Sequence, residues 1–132
     1  MMTDMTMDNF LAVLSSSEPV PGGGGACGYV AAVGMSLGNM VLALTTGKKK
    51  YAEYQEEIEE LIVKATDLTK RLAECMDKDA ESFKPLAAAY GLPKDTEEQI
   101  KEREAIMAKA LVTASEAPLS MMAVSYTHLR AH

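Results

Sequence analysis

Tyr51, Tyr54, Ile58, Leu61, Ala65, Leu68, Leu72 and Cys75 recur at alternating steps of three and four residues. That spacing lays them along one stripe of an α-helix, the heptad seam of a helix packed in a bundle. Glu53, Glu56, Glu57, Glu59, Glu60, Lys64, Lys70 and Arg71 fall mostly off the stripe, as a solvated face requires. The seam predicts one helix over 51–83, roughly 50 Å long at about 1.5 Å per residue, with Pro85 kinking or ending it. Composition agrees: no Trp, 2 Phe, 5 Tyr and 10 Met, with much Ala, Leu, Glu and Lys, favours helix and excludes an all-β fold.

Continued past Cys75, the stripe reaches Asp79, where the pattern asks for an apolar residue. Two readings stand side by side. The aspartate is either a structural residue, satisfied by hydrogen bonds or turned slightly to the surface, or a desolvated carboxylate of raised pKa suited to proton transfer or to a cationic substrate. Beyond it, Gly91-Leu92-Pro93 makes a turn, and Asp95-Thr96-Glu97-Glu98 reads as a capping box. It opens a last helix bearing Ile100, Met107, Leu111 and Ala114, ending at Pro118.

The front of the chain differs. Residues 1–46 contain Asp4, Asp8 and Glu18 and no Lys or Arg. Thr6 caps a short helix carrying Phe10, Leu11 and Leu14. Residues 18–25, two prolines and four consecutive glycines among them, form a loop. From Ala26 to Thr46 nothing is charged, which predicts a helix buried on most sides. A membrane span anchored by Lys48, Lys49 and Lys50 competes by length; Gly28, Gly34, Ser36, Gly38 and Asn39 dilute its apolarity, and the expectation is no membrane. Small residues at that spacing equally permit close helix contact in a core or across a dimer interface.

Gly23, Gly25 and Gly28 formally match a dinucleotide-binding fingerprint, but no strand precedes them and Lys48 stands where an acid belongs. No Lys-Ser/Thr pair follows, which excludes a P-loop. The glycines are then a plain linker or a source of bare amides for a carboxylate or polar ligand edge. The lysine run is either a solvated junction or an anion site. The net charge of −6, from 13 basic and 19 acidic residues, argues against nucleic acid as a partner. Cys27 and Cys75 lack the ligands of a zinc site; the expectation is no metal, packing roles for both, and a reducing cytoplasm. An acidic N-terminus argues against a secretory signal.

Three ordered stretches, Pro19-Val20-Pro21-Gly22-Gly23-Gly24-Gly25, Leu44-Thr45-Thr46-Gly47-Lys48-Lys49-Lys50-Tyr51 and Asp79-Ala80-Glu81-Ser82-Phe83, resemble the cyclodeaminase/cyclohydrolase family over about residues 5–122. The resemblance implies an all-α, antiparallel bundle of about four to five helices, a homodimer, and a folate one-carbon enzyme that is truncated relative to its relatives. It assigns catalysis to Asp79 and substrate binding to Pro21, Gly22, Gly23, Gly24, Gly25, Lys48, Lys49, Lys50, Tyr51 and Phe83. The glycine amides would shape a pterin pocket, and the lysines would hold the glutamate carboxylates of the folate. Gly25 stands where many relatives carry Ser. The implied reaction is hydrolysis of 5,10-methenyltetrahydrofolate to 10-formyltetrahydrofolate, without a cofactor. Cyclodeamination of formiminotetrahydrofolate and a noncatalytic dimerisation module are the alternatives. Relatives continue beyond the equivalent of Met122, so residues 1–123 read as an incomplete helical domain. Residues 124–132, with His128 and His132, read as a foreign tail without a role.

Overall fold

The computed structural model describes residues 1–129, with side chains to position 125. Four α-helices follow in order: α1 (Met7–Leu14), α2 (Gly23–Thr45), α3 (Gln55–Tyr90) and α4 (Glu97–Leu129). Short 3₁₀ turns at Met2–Asp4 and Lys49–Tyr54 precede α1 and α3. The described residues contain no strand.

Contacts run in opposite senses along neighbours. Gly24 lies against Asp79, Gly28 against Leu72 and Met76, and Asn39 donates a hydrogen bond to Thr66, so α2 and α3 are antiparallel. Leu72 shares the core with Met121, while Asp79 and Phe83 face Leu111 and Pro118, which makes α3 and α4 antiparallel too. The all-α bundle is therefore the fold, with α3 as its central member. α2 and α4 both pack along α3, and they meet each other where Met121 reaches Gly28.

The seam holds as the core of α3. Ile58, Ala65, Leu68, Leu72 and Cys75 are buried, joined by Ala32 of α2 and Met121 of α4. Ile58, Leu68, Leu72 and Met121, the larger side chains among these, each contribute about 1.5–3 kcal/mol by burial. Exposed ion pairs Glu60–Lys64, Asp67–Arg71 and Glu81–Lys84 decorate the other face, each worth only a few tenths of a kcal/mol. Tyr51 and Tyr54 fall outside α3, in the 3₁₀ turn, where Tyr51 has non-helical backbone angles. Gly47, at φ 73°, makes the bend after α2 and donates its N–H to Gln55 Oε1; a positive φ is free of steric cost only for glycine.

Three expectations are corrected. Pro85 does not end α3, which runs seven residues past Phe83 to Tyr90, and Pro118 lies inside α4; tertiary packing on both sides outweighs one lost backbone bond at each. The box that opens α4 is Thr96 with Gln99: Thr96 Oγ1 accepts from Gln99 N, and Gln99 Oε1 accepts from the Thr96 and Asp95 amides. The inward face of α4 is Ala110, Ala117 and Met121, while Ile100 and Leu111 are exposed.

The largest departure concerns α2. Only Gly25, Gly28 and Ala32 are buried in it, and Val30, Val33, Leu37, Met40, Val41 and Leu44 are 44–69% exposed. A helix apolar all round carries no periodicity to say which side is covered. By length and composition alone α2 suffices to cross a membrane. Val124 packs against the core; the side chains from position 126 onward, both histidines included, lie outside the described residues, and with them the reading of that stretch as a tail.

Candidate active site

α2 begins at Gly23, so three of the loop glycines form its first turn rather than a linker. Gly22 is the N-cap residue and has no side chain to cap with. The first amides of a helix have no partner within it and carry the positive end of the helix dipole. Asp79, reaching across from α3, supplies the missing acceptor: its carboxylate takes a hydrogen bond from the Gly25 N–H. This approach is possible because position 24 has no side chain; a Cβ on Gly24 would overlap the Asp79 carboxylate. The fit one turn further along α2 holds this approach in place. A Cβ on Gly28 would sit 3.2 Å from the Leu72 carbonyl oxygen and 3.1 Å from Met121, so α2 and α3 meet almost backbone to backbone.

Asp79 is half-buried. Burial raises its pKa above the ordinary carboxylate value, opposed by the Gly25 N–H, and burial is the larger effect. The carboxylate opens onto a cleft of about 430 Å³ between the start of α2, the middle of α3 and the middle of α4. Pro19, Val20, Gly22, Gly23 and Gly24 form one wall, Asp79 and Phe83 the second, and Leu111, Ala114, Ser115 and Pro118 the third. Pro118 has no N–H to give the Ala114 carbonyl, so a backbone acceptor on the third wall lacks its helical donor. The cleft thus joins an apolar ring face, a carboxylate ready to take or hold a proton, and backbone polar groups that fix an orientation.

The expected site residues divide. Gly22, Gly23, Gly24, Asp79 and Phe83 meet at the cleft. Pro21 is buried beneath it, with its Cβ 3.5 Å from where a Gly25 side chain would begin, and Gly25 contributes its amide. Lys48, Lys49, Lys50 and Tyr51 do not join them. They follow the far end of a 23-residue helix, about 34 Å from its start. The lysines are exposed, with Lys50 Nζ 5.3 Å from the Tyr51 ring centre. The lysine run and the glycine turn of one chain thus lie at opposite ends of α2. The α4 wall was missed. Its signal was the spacing of Leu111, Ala114, Ser115 and Pro118 on one helical face, hidden because Pro118 reads as a terminator. Among the described residues no three His, Cys, Asp or Glu side chains are placed to hold a metal ion.

Fold and cleft together define an all-helical protein built around a carboxylate seated on a neighbouring helix's N-terminus. Comparison with known proteins makes this specific: residues 6–132 match the formiminotransferase-cyclodeaminase family profile, and the chain belongs to that family. It is 42% identical over 115 residues to a methenyltetrahydrofolate cyclohydrolase of Methylorubrum extorquens, covering 87% of this chain and 55% of that protein. It is 33% identical to a formimidoyltransferase-cyclodeaminase of Dictyostelium discoideum, over 96% of this chain and 22% of that protein. Formiminotetrahydrofolate cyclodeaminase from Thermotoga maritima superposes with a TM-score of 0.76 at 25% identity, over 94% of this chain and 58% of that one. The chain thus spans little more than half the length of the cyclohydrolase and of the superposed structure.

Proposed function

We propose that the protein hydrolyses 5,10-methenyltetrahydrofolate to 10-formyltetrahydrofolate. The observation that carries this reading is the Asp79 carboxylate, held on the Gly25 amide and facing a cleft with an aromatic wall. The likeness to the cyclohydrolase supports the choice of substrate. A methenyl-folate carries a delocalised cation between two ring nitrogens. An anionic carboxylate beside it stabilises that cation and takes a proton from the attacking water. The water oxygen bonds to the methenyl carbon, the bond from that carbon to N5 breaks, N5 takes up one of the water's two protons, and the other leaves to solvent. Phe83 stacks against the pterin, and the Ala114 carbonyl and first-turn amides of α2 meet its polar edge. The reaction as written consumes water and the folate substrate alone; the family likeness supports a cytoplasmic homodimer as its setting.

Cyclodeamination is the second reading, supported by the likeness to the Thermotoga maritima protein. It uses the same carboxylate, with protonation of the departing ammonia added. Asp79→Asn separates chemistry from binding, because Asn still accepts from the Gly25 N–H but takes no proton. The expected outcome is a turnover loss of about 100-fold or more with tetrahydrofolate still protecting the fold in a thermal-shift assay. Unchanged turnover would refute the role of Asp79. A chain with neither turnover nor protection would point instead to a noncatalytic helical module.

A further inference from the structure

The inward face of α4 is a second seam. Arg103, Met107, Ala110, Ala114, Ala117 and Met121 recur at alternating steps of four and three. Ala110, Ala117 and Met121 are buried, Met107 and Ala114 partly so. An arginine therefore opens this seam where the pattern asks for an apolar residue, much as Asp79 interrupts that of α3. Its Nε is buried with no hydrogen-bond partner, and among the described residues it makes no ion pair. The sequence explains why. Its helix neighbours three and four residues away are Gln99, Ile100, Ile106 and Met107, none of them acidic. By contrast, Arg71 and Lys84 are each joined to an acid of their own helix. A cation held partly out of water without a partner costs free energy that the fold does not recover, so this position asks for an anion from outside the chain.

Register puts Arg103 in line with the cleft. Leu72 lies with Met121, and Phe83 with Leu111. Continued towards the turn at residues 91–96, the same antiparallel pairing sets Met107 at the level of Leu86 and Arg103 at the level of Tyr90. From Leu111 on the cleft wall, Arg103 is about 12 Å back along α4. The order along the α3–α4 line is thus carboxylate, aromatic ring, apolar stretch, cation. We infer that Arg103 holds the carboxylate end of the folate bound in this cleft and makes the site select for a glutamate-bearing substrate. The inference deepens the folate reading and rests on it. A methenyl-folate presents a matching order of groups: a cationic centre, a p-aminobenzoyl ring, then carboxylates. With the cation at Asp79, the benzoyl ring spans Phe83, Leu111 and Met107, and a glutamate carboxylate reaches Arg103. A guanidinium offers five donors in a planar fork that a carboxylate meets bidentately. Its packed stem already restricts that fork, so less freedom is lost on binding. Nearby cations compete poorly: Lys84 is paired with Glu81 at 2.6 Å, and Lys78 and Lys109 are exposed and off both seams.

Arg103→Gln is the test, read on methenyltetrahydrofolate and on its analogue cut back to a neutral benzamide. For the full substrate KM is expected to rise about 10- to 100-fold, the effect of losing a charged hydrogen bond, with kcat unchanged. For the benzamide KM is expected to stay at the wild-type value. Arg103→Lys should recover part of the loss, since it keeps the charge and not the fork. Arg103→Met keeps an apolar stem and removes an unpartnered charge, so its urea midpoint should equal or exceed that of the wild type; a clear fall assigns the charge to the fold and overturns the inference. If Arg103→Gln leaves KM for the full substrate unchanged, or raises it equally for both substrates, the inference is overturned while the proposed function stands. Should the wild type lack turnover, tetrahydrofolate binding by isothermal calorimetry decides. An affinity that falls about 10- to 100-fold in Arg103→Gln keeps Arg103 as the carboxylate site and defeats the hydrolysis alone. A wild type that binds no tetrahydrofolate defeats the folate reading and the inference with it.

Discussion

Gly24→Ala places a Cβ where the Asp79 carboxylate rests. The backbone of α2 is held by Gly28 against Leu72, so the flexible carboxylate is what yields, and it gives up the Gly25 N–H. Losing a hydrogen bond to a charged group costs about 1.5–3 kcal/mol. Alanine returns up to about 1 kcal/mol over glycine in helix propensity. The net loss is about 0.5–2 kcal/mol, a fall in Tm of a few degrees. Catalysis suffers more, because displacing a reacting group by about 1 Å costs about 100-fold in rate, equivalent to about 2.7 kcal/mol in the transition state. Melting curves by far-UV circular dichroism and the absorbance change of methenyltetrahydrofolate hydrolysis give the two quantities. Gly23→Ala is the stability reference, since its Cβ would meet nothing within 4 Å, and it is expected to melt at or above the wild-type temperature. If Gly24→Ala matches it in stability and keeps full turnover, the carboxylate is not seated on the glycine turn and the site as described is wrong.

Gly28→Ala should destabilise by about 1–3 kcal/mol in urea unfolding, since its Cβ would press on the Leu72 carbonyl at 3.2 Å. Leu72→Ala, at a position 3% exposed in the shared core, should cost about 2–5 kcal/mol by the same measurement. Asp79→Asn should change how stability depends on pH. A carboxyl whose pKa is raised by folding holds its proton in the native state when the unfolded chain has lost it. Its contribution to stability is therefore complete below the ordinary carboxylate range and declines as pH rises towards the raised value. The urea midpoint of Asp79→Asn relative to wild type should thus increase from about pH 4 upward and then level off; a difference that shrinks with pH contradicts the assigned cause of the shift.

The parts legible in the sequence were those where periodicity and burial coincide. The α3 seam is a stripe of apolar residues on a charged helix, so its pattern names its own buried side, and Asp79 stands out against it as the exception. On α2 no residue is charged and most are apolar or small, so the same rule has little to contrast; its exposed outer face was invisible because inner and outer faces read alike. Prolines misled for a local reason. A terminator is the right expectation for Pro85 and Pro118 in isolated helices, but both sit in helices packed along their length, and Pro118 became part of a cleft wall. Distance was the other loss. Glycine turn and lysines lie in adjacent motifs along the chain, and only the rigid length of α2 shows them to be at opposite ends.

Asp79 performs two tasks whose physical demands conflict. As the acceptor for the start of α2 it needs only an oxygen within reach of the Gly25 amide, and Asn serves that purpose about as well as Asp at helix N-termini. As a half-buried acid its ionised form is penalised by desolvation, the larger of the two effects upon it. A neutral amide would cap α2 without that penalty, so the fold alone does not account for a carboxylate at this position. The charge makes physical sense if something cationic or proton-releasing visits the cleft, and the cap then becomes the means of aiming it: the helix fixes the oxygen, the missing side chain at Gly24 admits it, and Phe83 on the same α3 face supplies a ring wall four residues further on.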